Sequence, residues 1–252
     1  ITFDGINIDR CRDVLSEATH IIQSIAPPRQ GDTDATDATV DPVLKACADH
    51  DLATLAPDLE WIGYLSTVGV YGNHDGAWVD EETPVAPASE RSRQRVRAEA
   101  EWLALGEAVG IPLGVFRLSG IYGSGRNAFV TIEKGKSRRL VKKDQVFNRI
   151  HVHDIAQALW LAASQKANGI FNITDHEPAP PQDVVTFAHD LMGIDPPGEI
   201  DFETADLTPM ARSFYGENKR VSNAKIKSIG FQFSYPDYRY ALAKMWTDDD
   251  WR

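Results

Sequence analysis

Short apolar segments that alternate with helical segments constrain the fold of this chain most strongly. Residues 18–25, 61–66 and 112–118 read as buried strands, and apolar spacing predicts a long helix over 89–109. Strands separated by helices in this way are typical of βαβ units, whose parallel strands form a sheet covered on both faces. The sequence therefore predicts an α/β fold with a doubly wound parallel sheet.

The residues that follow these strands are the first candidates for a binding site. Ligands of such sheets bind beyond the carboxyl ends of the strands. The residues at these positions are Ser24, Ile25, Ala26, Ser66, Thr67, Leu118, Ser119 and Gly120. We expect them to line one cleft.

The second part of the chain predicts the last core elements and a small lobe. A strand is expected over 146–152, and Asp154 with Gln157 forms a capping box that opens a helix. A further strand is expected over 170–173, and Pro181 begins another helix. From Glu199 onward the pattern is irregular and polar. We therefore predict a nucleotide-binding part over 1–145, and over 146–252 the last core elements interleaved with a small C-terminal substrate lobe.

Charge and composition exclude several classes of protein. The chain has 26 Lys+Arg against 37 Asp+Glu, a net charge of −11, which argues against binding to nucleic acid. No apolar run is long enough for a membrane span, and the charged residues near the start do not suit a secretory leader. Cys11 and Cys47 have no metal-type spacing. We expect a cytoplasmic protein without a metal, a membrane or a nucleic-acid partner.

Ordered motifs resemble the extended short-chain dehydrogenases/reductases, the NAD-dependent epimerase/dehydratase family. The stretch 65–72, Leu-Ser-Thr-Val-Gly-Val-Tyr-Gly, resembles the signature S-[ST]-x-x-V-Y-G of that family. The stretches 116–123, 150–156 and 171–173 resemble three later motifs in the same order, and the tail over 218–223 is similar to the YeeZ-like branch. The resemblance implies a Rossmann-like fold, NAD or NADP as cofactor, a small-molecule substrate and a homodimer formed through the long helix.

One departure from the family concerns the cofactor. No glycine-rich turn follows an early strand, although the family binds pyrophosphate there. The strand that ends near Ser24 resembles the fourth strand of the family. We therefore expect the first strands, and the adenosine-pyrophosphate half of the site, to lie upstream of Ile1.

A second departure concerns the catalytic residues. Family members carry Tyr-x-x-x-Lys on the long helix, with a Glu four residues later. If Glu99 is that Glu, Arg91 and Arg95 occupy the Tyr and Lys positions. Arginine stays protonated and has no acceptor, so it cannot replace the phenol. By resemblance, Thr67 is the catalytic hydroxyl, and Arg91 and Arg95 bind ribose or phosphate and polarise the substrate.

The substrate-binding positions differ as well. Val68 and Gly69 stand where the 4,6-dehydratases carry Asp-Glu, so dehydration is the least expected of the family's reactions. Gly120 replaces an Asn of the epimerases. Phe147 replaces an Arg that grips the diphosphate, but Arg149 lies on the same strand face two residues later. The predicted function is an oxidoreductase or epimerase acting on a small or nucleotide-linked polyol, with Tyr71, Gly120 and Arg149 at the substrate.

Several alternatives stay open. Loss of the Tyr/Lys pair also suits a non-catalytic NAD(P)-binding module that regulates a partner. Tyr71 and Tyr122 suit a ligand contact and a structural role equally, and the polar segment 212–219 suits either a substrate site or a solvated loop. We expect the remaining residues of interest to have structural roles. The side chains of Trp61, Trp102 and Trp160 should lie in the core, and those of His176 and His189 at the surface or at helix caps. Arg93 and Arg97 should lie on a solvated helix face.

Overall fold

A computed structural model describes residues 8–28, 41–48 and 50–252 of the chain. Residues 29–40, a stretch rich in Asp and Thr, lie outside the described ranges. The helices are α1 (Arg12–Leu15), α2 (Pro42–Ala46), α3 (Leu52–Leu55), α4 (Glu90–Val109), α5 (Ala128–Glu133), α6 (Val152–Ser164), α7 (Pro181–Met192), α8 (Pro209–Phe214), α9 (Ala224–Ser228) and α10 (Tyr238–Thr247). Short 3₁₀ turns cover Ile8–Cys11 and Val68–Tyr71.

The strands form one larger sheet and several pairs. The strands are β1 (His20–Gln23), β2 (Trp61–Thr67), β3 (Trp78–Val79), β4 (Leu113–Leu118), β5 (Gly120–Tyr122), β6 (Arg139–Val141), β7 (Arg149–His151), β8 (Gly169–Ile173), β9 (Glu199–Asp201) and β10 (Arg220–Val221). The four-stranded sheet has the order β1-β2-β4-β8, and β5 pairs with β7, β3 with β10 and β6 with β9. The predicted α/β class and parallel sheet are confirmed.

The chain divides into two compact units that alternate along the sequence. The first comprises Ile1–Val70, Val85–Arg117 and Leu159–Phe171, and the second comprises Tyr71–Pro84, Leu118–Ala158 and Asn172–Arg252. Neither unit coincides with the predicted segments 1–145 and 146–252, and that division stays a prediction. No helix among the described residues is long and apolar enough to cross a membrane.

The core of the first unit lies between α4 and one face of the sheet. Ala98 and Trp102 of α4 pack with Ile62 and Tyr64 of β2, and the rings of Tyr64 and Trp102 stack at 6.0 Å. The alternation of side chains along a strand places Ile62 and Tyr64 on one face. This packing sets the position of α4 against the end of β2.

The boundaries of α4 follow from its sequence. The Ser89 hydroxyl accepts a hydrogen bond from the Ser92 N–H at 3.2 Å, which caps the first turn. Gly110 ends the helix with φ of +69°, a left-handed conformation that glycine adopts without strain. The predicted helix over 89–109 is therefore confirmed to within one residue.

The second unit has its own core of aromatic and aliphatic side chains. Phe129 of α5, Ala188 of α7 and Leu242 of α10 are buried together there. Pro181 lies at the start of α7, as the sequence predicted, and Gly193 ends the helix with φ of +67°.

The structure corrects the capping role predicted for Asp154. Helix α6 begins before that residue, at Val152. The Asp154 side chain is fully buried, and its carboxylate accepts hydrogen bonds from the backbone N–H groups of Ser234 at 2.9 Å and Tyr235 at 3.0 Å. Its role is to hold a distant loop, which the local pattern did not reveal.

Two further predictions about burial were wrong. Trp160 is 76% exposed, because the buried stripe of α6 follows Ile155, Leu159 and Ala162, and Trp160 lies off that stripe. His189 is buried instead of lying at the surface, with its Nδ1 2.8 Å from the Val185 carbonyl oxygen. Trp61 and Trp102 are buried as predicted.

Candidate functional site

In the first unit, the residues after β1 are open to solvent. Ser24, Ile25 and Ala26 are all exposed, and Ile25 keeps 42% of its surface accessible. They follow the carboxyl end of a strand that runs parallel to β2, with Gln23 opposite Tyr64. Their position at the strand ends is the one expected for ligand-binding residues.

Thr67 is the last residue of β2, and its hydroxyl is able to donate a hydrogen bond to a ligand. It is partly exposed, and its Oγ1 accepts a hydrogen bond from the Gly69 N–H at 3.1 Å. Its hydroxyl hydrogen has no acceptor among the described residues. A Cβ on Gly69 would lie 3.2 Å from the Ser92 Oγ, so a small residue suits the close approach of this turn to α4. Thr67 can therefore donate a hydrogen bond to a substrate oxygen.

A buried charged cluster lies beneath Thr67. The Ser66 hydroxyl donates to Glu99 Oε1 at 2.5 Å, and Arg117 Nη2 donates to Glu99 Oε2 at 2.7 Å. The Glu99 and Arg117 side chains are only 5% and 4% exposed. These contacts tie β2, α4 and β4 together. The hydroxyl of Ser66, which we expected to line the cleft, is committed to this cluster, and Glu99 pairs with Arg117.

The arginines at the Tyr and Lys positions of the family differ in environment. Arg95 is half-buried, and its Nη1 donates to the Leu65 carbonyl at 2.7 Å and to the Tyr64 hydroxyl at 3.2 Å. Arg91 is exposed and forms no hydrogen bond or ion pair within the described part of the chain. Arg95 is therefore held against the end of β2, whereas Arg91 is available to an anion.

The neighbouring arginine Arg93 follows the prediction of a solvated face. It is exposed and pairs with Glu90 at 2.8 Å. Arg97 is exposed too.

In the second unit, residues 118–120 continue from β4 along a closely packed path. Leu118 and Ser119 are buried, and the Ser119 N–H donates to the Ile173 carbonyl at 3.1 Å. Gly120 is exposed, and a Cβ there would lie 3.1 Å from the Asn148 carbonyl oxygen. The lack of a side chain at Gly120 allows β5 to pair with β7 at this point.

Arg149 lies in a polar interior with Asp175 and Tyr122. Its Nη1 donates to the carbonyls of Phe147 and Ala179 at 3.0 and 3.2 Å. Burial lowers the pKa of the Arg149 guanidinium, although the nearby Asp175 carboxylate opposes that effect. Burial raises the pKa of the Tyr122 phenol well above its usual range. The Tyr122 phenol therefore keeps its proton at neutral pH.

Asp175 follows β8 and is 1% exposed. Its Oδ1 accepts the Glu177 N–H at 3.1 Å, and its Oδ2 has no hydrogen-bond partner among the described residues. Burial raises the pKa of this carboxyl to about 8. We did not single out Asp175 from the sequence, although the rule of strand ends, applied to residues 170–173, would have found it.

Tyr71 and Lys219, whose roles the sequence left undecided, both form hydrogen bonds within the protein. Tyr71 is fully buried and its hydroxyl donates to Asn172 Oδ1 at 2.8 Å. Lys219 is 5% exposed, and its Nζ donates to the Gly72 carbonyl at 2.7 Å and to Glu217 at 2.6 Å. Lys219 is therefore not part of a solvated loop. The predicted substrate contacts of Tyr71, Gly120 and Arg149 stay predictions.

The histidines do not assemble a metal site within the described ranges, where no group of three or more His, Cys, Asp or Glu side chains could hold an ion. His151 Nδ1 accepts the His153 N–H at 3.2 Å, and the His151 ring stacks on Tyr235 at 3.7 Å. Burial lowers the pKa of His151 to about 4, so its ring is neutral.

Several solved structures are similar in fold to this chain. The chain is 48% identical to a functionally unknown conserved protein from Silicibacter pomeroyi, with a TM-score of 0.83, covering 94% of this chain and 80% of that one. It shares its fold with dTDP-glucose 4,6-dehydratase from Bacillus anthracis in complex with NAD, at 17% identity and a TM-score of 0.74, covering 99% and 79% of the two chains. The human epimerase family protein SDR39U1 with NADPH has the same fold, at 16% identity and a TM-score of 0.73, covering 96% and 87%.

No curated protein sequence matches the chain. The model of the NAD dependent epimerase/dehydratase family matches residues 33–174, which is more than half of the chain. This match agrees with the motifs at residues 65–72 and 116–123 and with the parallel sheet that carries them. The chain therefore belongs to the NAD dependent epimerase/dehydratase family.

Proposed function

We propose that this chain binds NAD or NADP and acts as an oxidoreductase or epimerase on a small or nucleotide-linked polyol. The observation that carries the proposal is the Thr67 hydroxyl, which lies at the carboxyl end of β2 with its hydrogen uncommitted among the described residues. Two structural neighbours contain NAD and NADPH respectively, and this supports the choice of cofactor.

The residues of the first unit fit a nicotinamide nucleotide in two respects. The unpaired guanidinium of Arg91 suits an anionic phosphate or the ribose hydroxyls, since arginine binds such groups well. The exposed Ile25 offers an apolar surface at the end of β1, as the flat face of a nicotinamide ring requires. Ser24, Ile25, Ala26 and Arg91 would hold this part of the cofactor.

The roles of the side chains follow from their chemistry. The bound nicotinamide would accept or supply the hydride. Thr67 donates a hydrogen bond that orients the reacting oxygen of the substrate, and Arg91 holds phosphate or ribose. Arg95, fixed by the Leu65 carbonyl, adds positive charge beside that oxygen. Neither arginine takes a proton at neutral pH, so the proton from the substrate hydroxyl goes to water or to another group.

The test uses Thr67→Val, which removes the donor but keeps the shape, with Thr67→Ser as the matched control. Turnover is measured with NADH and NADPH against sugar nucleotides and simple carbonyl compounds. We expect Thr67→Val to lower kcat about 10²-fold, the usual effect of losing one donor at a reacting oxygen, and Thr67→Ser to retain most of it. Equal activity in all three proteins contradicts the role of Thr67.

Cofactor binding is tested separately by calorimetric titration. We expect Arg91→Gln to weaken NAD(P)H binding about tenfold, because a hydrogen bond to a charged group contributes roughly 1.5–3 kcal/mol. Arg93→Gln is the matched control, since Arg93 lies on the same helix and pairs with Glu90. If neither dinucleotide binds the unaltered protein, the cofactor assignment fails.

A second candidate function is a non-catalytic NAD(P)-binding module that regulates a partner. The engagement of Arg95 with the Leu65 carbonyl and the Tyr64 hydroxyl favours it, because neither arginine supplies the acid–base pair of the family. Tight dinucleotide binding without turnover of any compound in the panel supports the module. Turnover that depends on Thr67 supports the enzyme.

We further infer, from the family resemblance, a cytoplasmic homodimer formed through α4. Exposed residues on α4, among them Ala100 and Ala104, are available for such a contact. Light scattering after gel filtration measures the mass in solution, and a mass of one chain at micromolar concentration contradicts the dimer.

A further inference from the structure

A small cavity in the second unit has none of the residues assigned above to cofactor or substrate in its lining. Its volume is about 310 Å³, and its lining includes Trp78, His176, Ser222, Asn223 and Lys227. Trp78 belongs to β3, which pairs in parallel with β10, and Ser222 follows β10 directly. A cavity of this size suits a small ligand.

One wall of the cavity is an exposed indole. Trp78 keeps 62% of its surface accessible, so its ring can be reached from solvent. Aromatic faces bind flat or ring-shaped ligands by stacking. Trp78 therefore offers a surface for a ring.

The remaining walls carry hydrogen-bond donors. The Asn223 Nδ2, which only donates, lies 2.8 Å from His176 Nδ1, so the proton of the neutral His176 ring is on Nε2. The Ser222 Oγ accepts the Ala224 N–H at 3.3 Å and keeps its own O–H free to donate. Donors of this kind suit an acceptor-rich ligand.

Lys227 adds a positive charge to these donors. Its side chain is exposed and has no hydrogen bond or ion pair within the described residues. Lys227 and His176 line the same cavity. Burial lowers the pKa of His176, and the Lys227 charge lowers it further. A lysine ammonium beside imidazole and hydroxyl donors is a suitable partner for a phosphate.

The acid in the lining does not oppose an anion. Asp175 also lines this cavity, and its Oδ2 has no hydrogen-bond partner among the described residues. Because burial raises the pKa of this carboxyl to about 8, the group is mostly neutral at pH 7. It therefore repels a phosphate only weakly.

From this juxtaposition we propose that the second unit binds a small ring compound carrying a phosphate group, with the ring on Trp78 and the phosphate at Lys227, His176 and Ser222. Phosphosugars and nucleoside monophosphates share this chemistry. None of the residues in this lining has a role in the proposed hydride-transfer site, although the Asp175 N–H donates to the carbonyl of Arg149, a predicted substrate contact, at 2.7 Å.

The test is calorimetric titration of the whole chain with glucose 6-phosphate, AMP, glucose and inorganic phosphate, without NAD(P)H. We expect one of the two ring phosphates to bind more tightly than glucose or phosphate alone. Trp78→Ala and Lys227→Gln should each weaken that binding about tenfold or more, equivalent to about 1.4 kcal/mol. Preference for glucose 6-phosphate identifies a phosphosugar site, and preference for AMP identifies a nucleotide site.

Matched variants test whether the loss of any exposed indole or any exposed lysine weakens binding. Trp160→Ala removes another exposed indole, and Lys143→Gln removes another exposed lysine of the second unit. Both, together with Thr67→Val, should leave binding within about twofold, a change of less than 0.5 kcal/mol. Circular dichroism confirms that each variant is folded.

Several results would overturn the proposal. These are no binding of either ring phosphate at millimolar concentration, equal binding of inorganic phosphate alone, or weakening by Lys143→Gln as large as by Lys227→Gln. Binding that is lost in Arg91→Gln but kept in Trp78→Ala places the ligand at the other site, and so also contradicts it. Because NAD(P)H is absent, failure here leaves the proposed hydride-transfer function untouched.

Discussion

Removal of the Glu99 carboxylate should destabilise the protein far more than loss of a surface ion pair. Arg117 donates to Glu99 through Nη2 at 2.7 Å and through Nε at 3.2 Å, and both side chains are nearly inaccessible. In Glu99→Ala, the Arg117 charge stays buried without its carboxylate, and Ser66 loses its acceptor. Breaking a buried pair from one side costs about 3–5 kcal/mol.

This energy converts into a shift that thermal unfolding can measure. For a chain of this size each kcal/mol lowers Tm by about 2–4 °C, so we expect Glu99→Ala to lower it by roughly 6–20 °C. Arg117→Met in the same background should recover part of the loss, because it removes the stranded charge. Differential scanning calorimetry of the two single variants and the double variant gives the coupling free energy.

The matched control is Glu90→Ala, which breaks the exposed pair with Arg93. The two side chains are 39% and 51% exposed, and such pairs contribute about 0–1 kcal/mol. The reasoning is refuted if Glu99→Ala lowers Tm by no more than Glu90→Ala does, or if the double variant is less stable than the sum of the single effects.

Three further predictions rest on single residues. The pKa of Asp175 is raised to about 8 in the folded protein, so the folded protein holds a proton that the unfolded chain releases above about pH 4. Stability should therefore fall as the pH rises from about 4 to about 8. The difference in Tm between pH 5 and pH 8 should be smaller in Asp175→Asn than in the unaltered protein, and an equal difference contradicts this prediction. Burial raises the pKa of the Cys47 thiol to about 11, so little of it is thiolate at pH 8. Its alkylation by iodoacetamide at pH 8, followed by mass spectrometry, should be on the order of 100-fold slower than that of glutathione. An equal rate shows that Cys47 is not shielded from solvent. Gly63→Ala would place its Cβ 2.6 Å from Trp61 Cη2, and the Trp61 ring cannot move easily because its Nε1 donates to the Ala167 carbonyl. The free energy of unfolding, measured in urea, should therefore fall by about 1–3 kcal/mol. Gly198→Ala, which has open space around the added methyl group, should leave it unchanged.

Local patterns were sufficient for the elements that depend on local physics. The apolar run at 61–66 and the helical spacing over 89–109 predicted β2 and α4, and Ser89 and Gly110 mark the ends of α4 through their own cap geometry. The position of Thr67 at a strand end follows from the same patterns, because parallel strands place their carboxyl ends at one edge.

Interpretations of polar residues failed where the partner lies far along the chain. Glu99 has an arginine four residues before it, yet it pairs with Arg117, because both side chains are buried and the direct pair compensates much of their desolvation. Asp154 matched a capping box but binds backbone groups 80 and 81 residues away. Local spacing carries no information about such partners.

The sequence by itself determined the α/β class, the family and the positions of the strand-end residues, since these depend on periodicity and on ordered motifs. Only the tertiary structure decided which of these residues stay available to a ligand. Burial commits the Ser66 hydroxyl to Glu99, and the end of β2 holds Arg95, while Arg91 and the hydroxyl hydrogen of Thr67 stay uncommitted among the described residues. The physical reason is that a polar group is satisfied by whichever partner the fold brings to it, and most of these partners are distant in sequence.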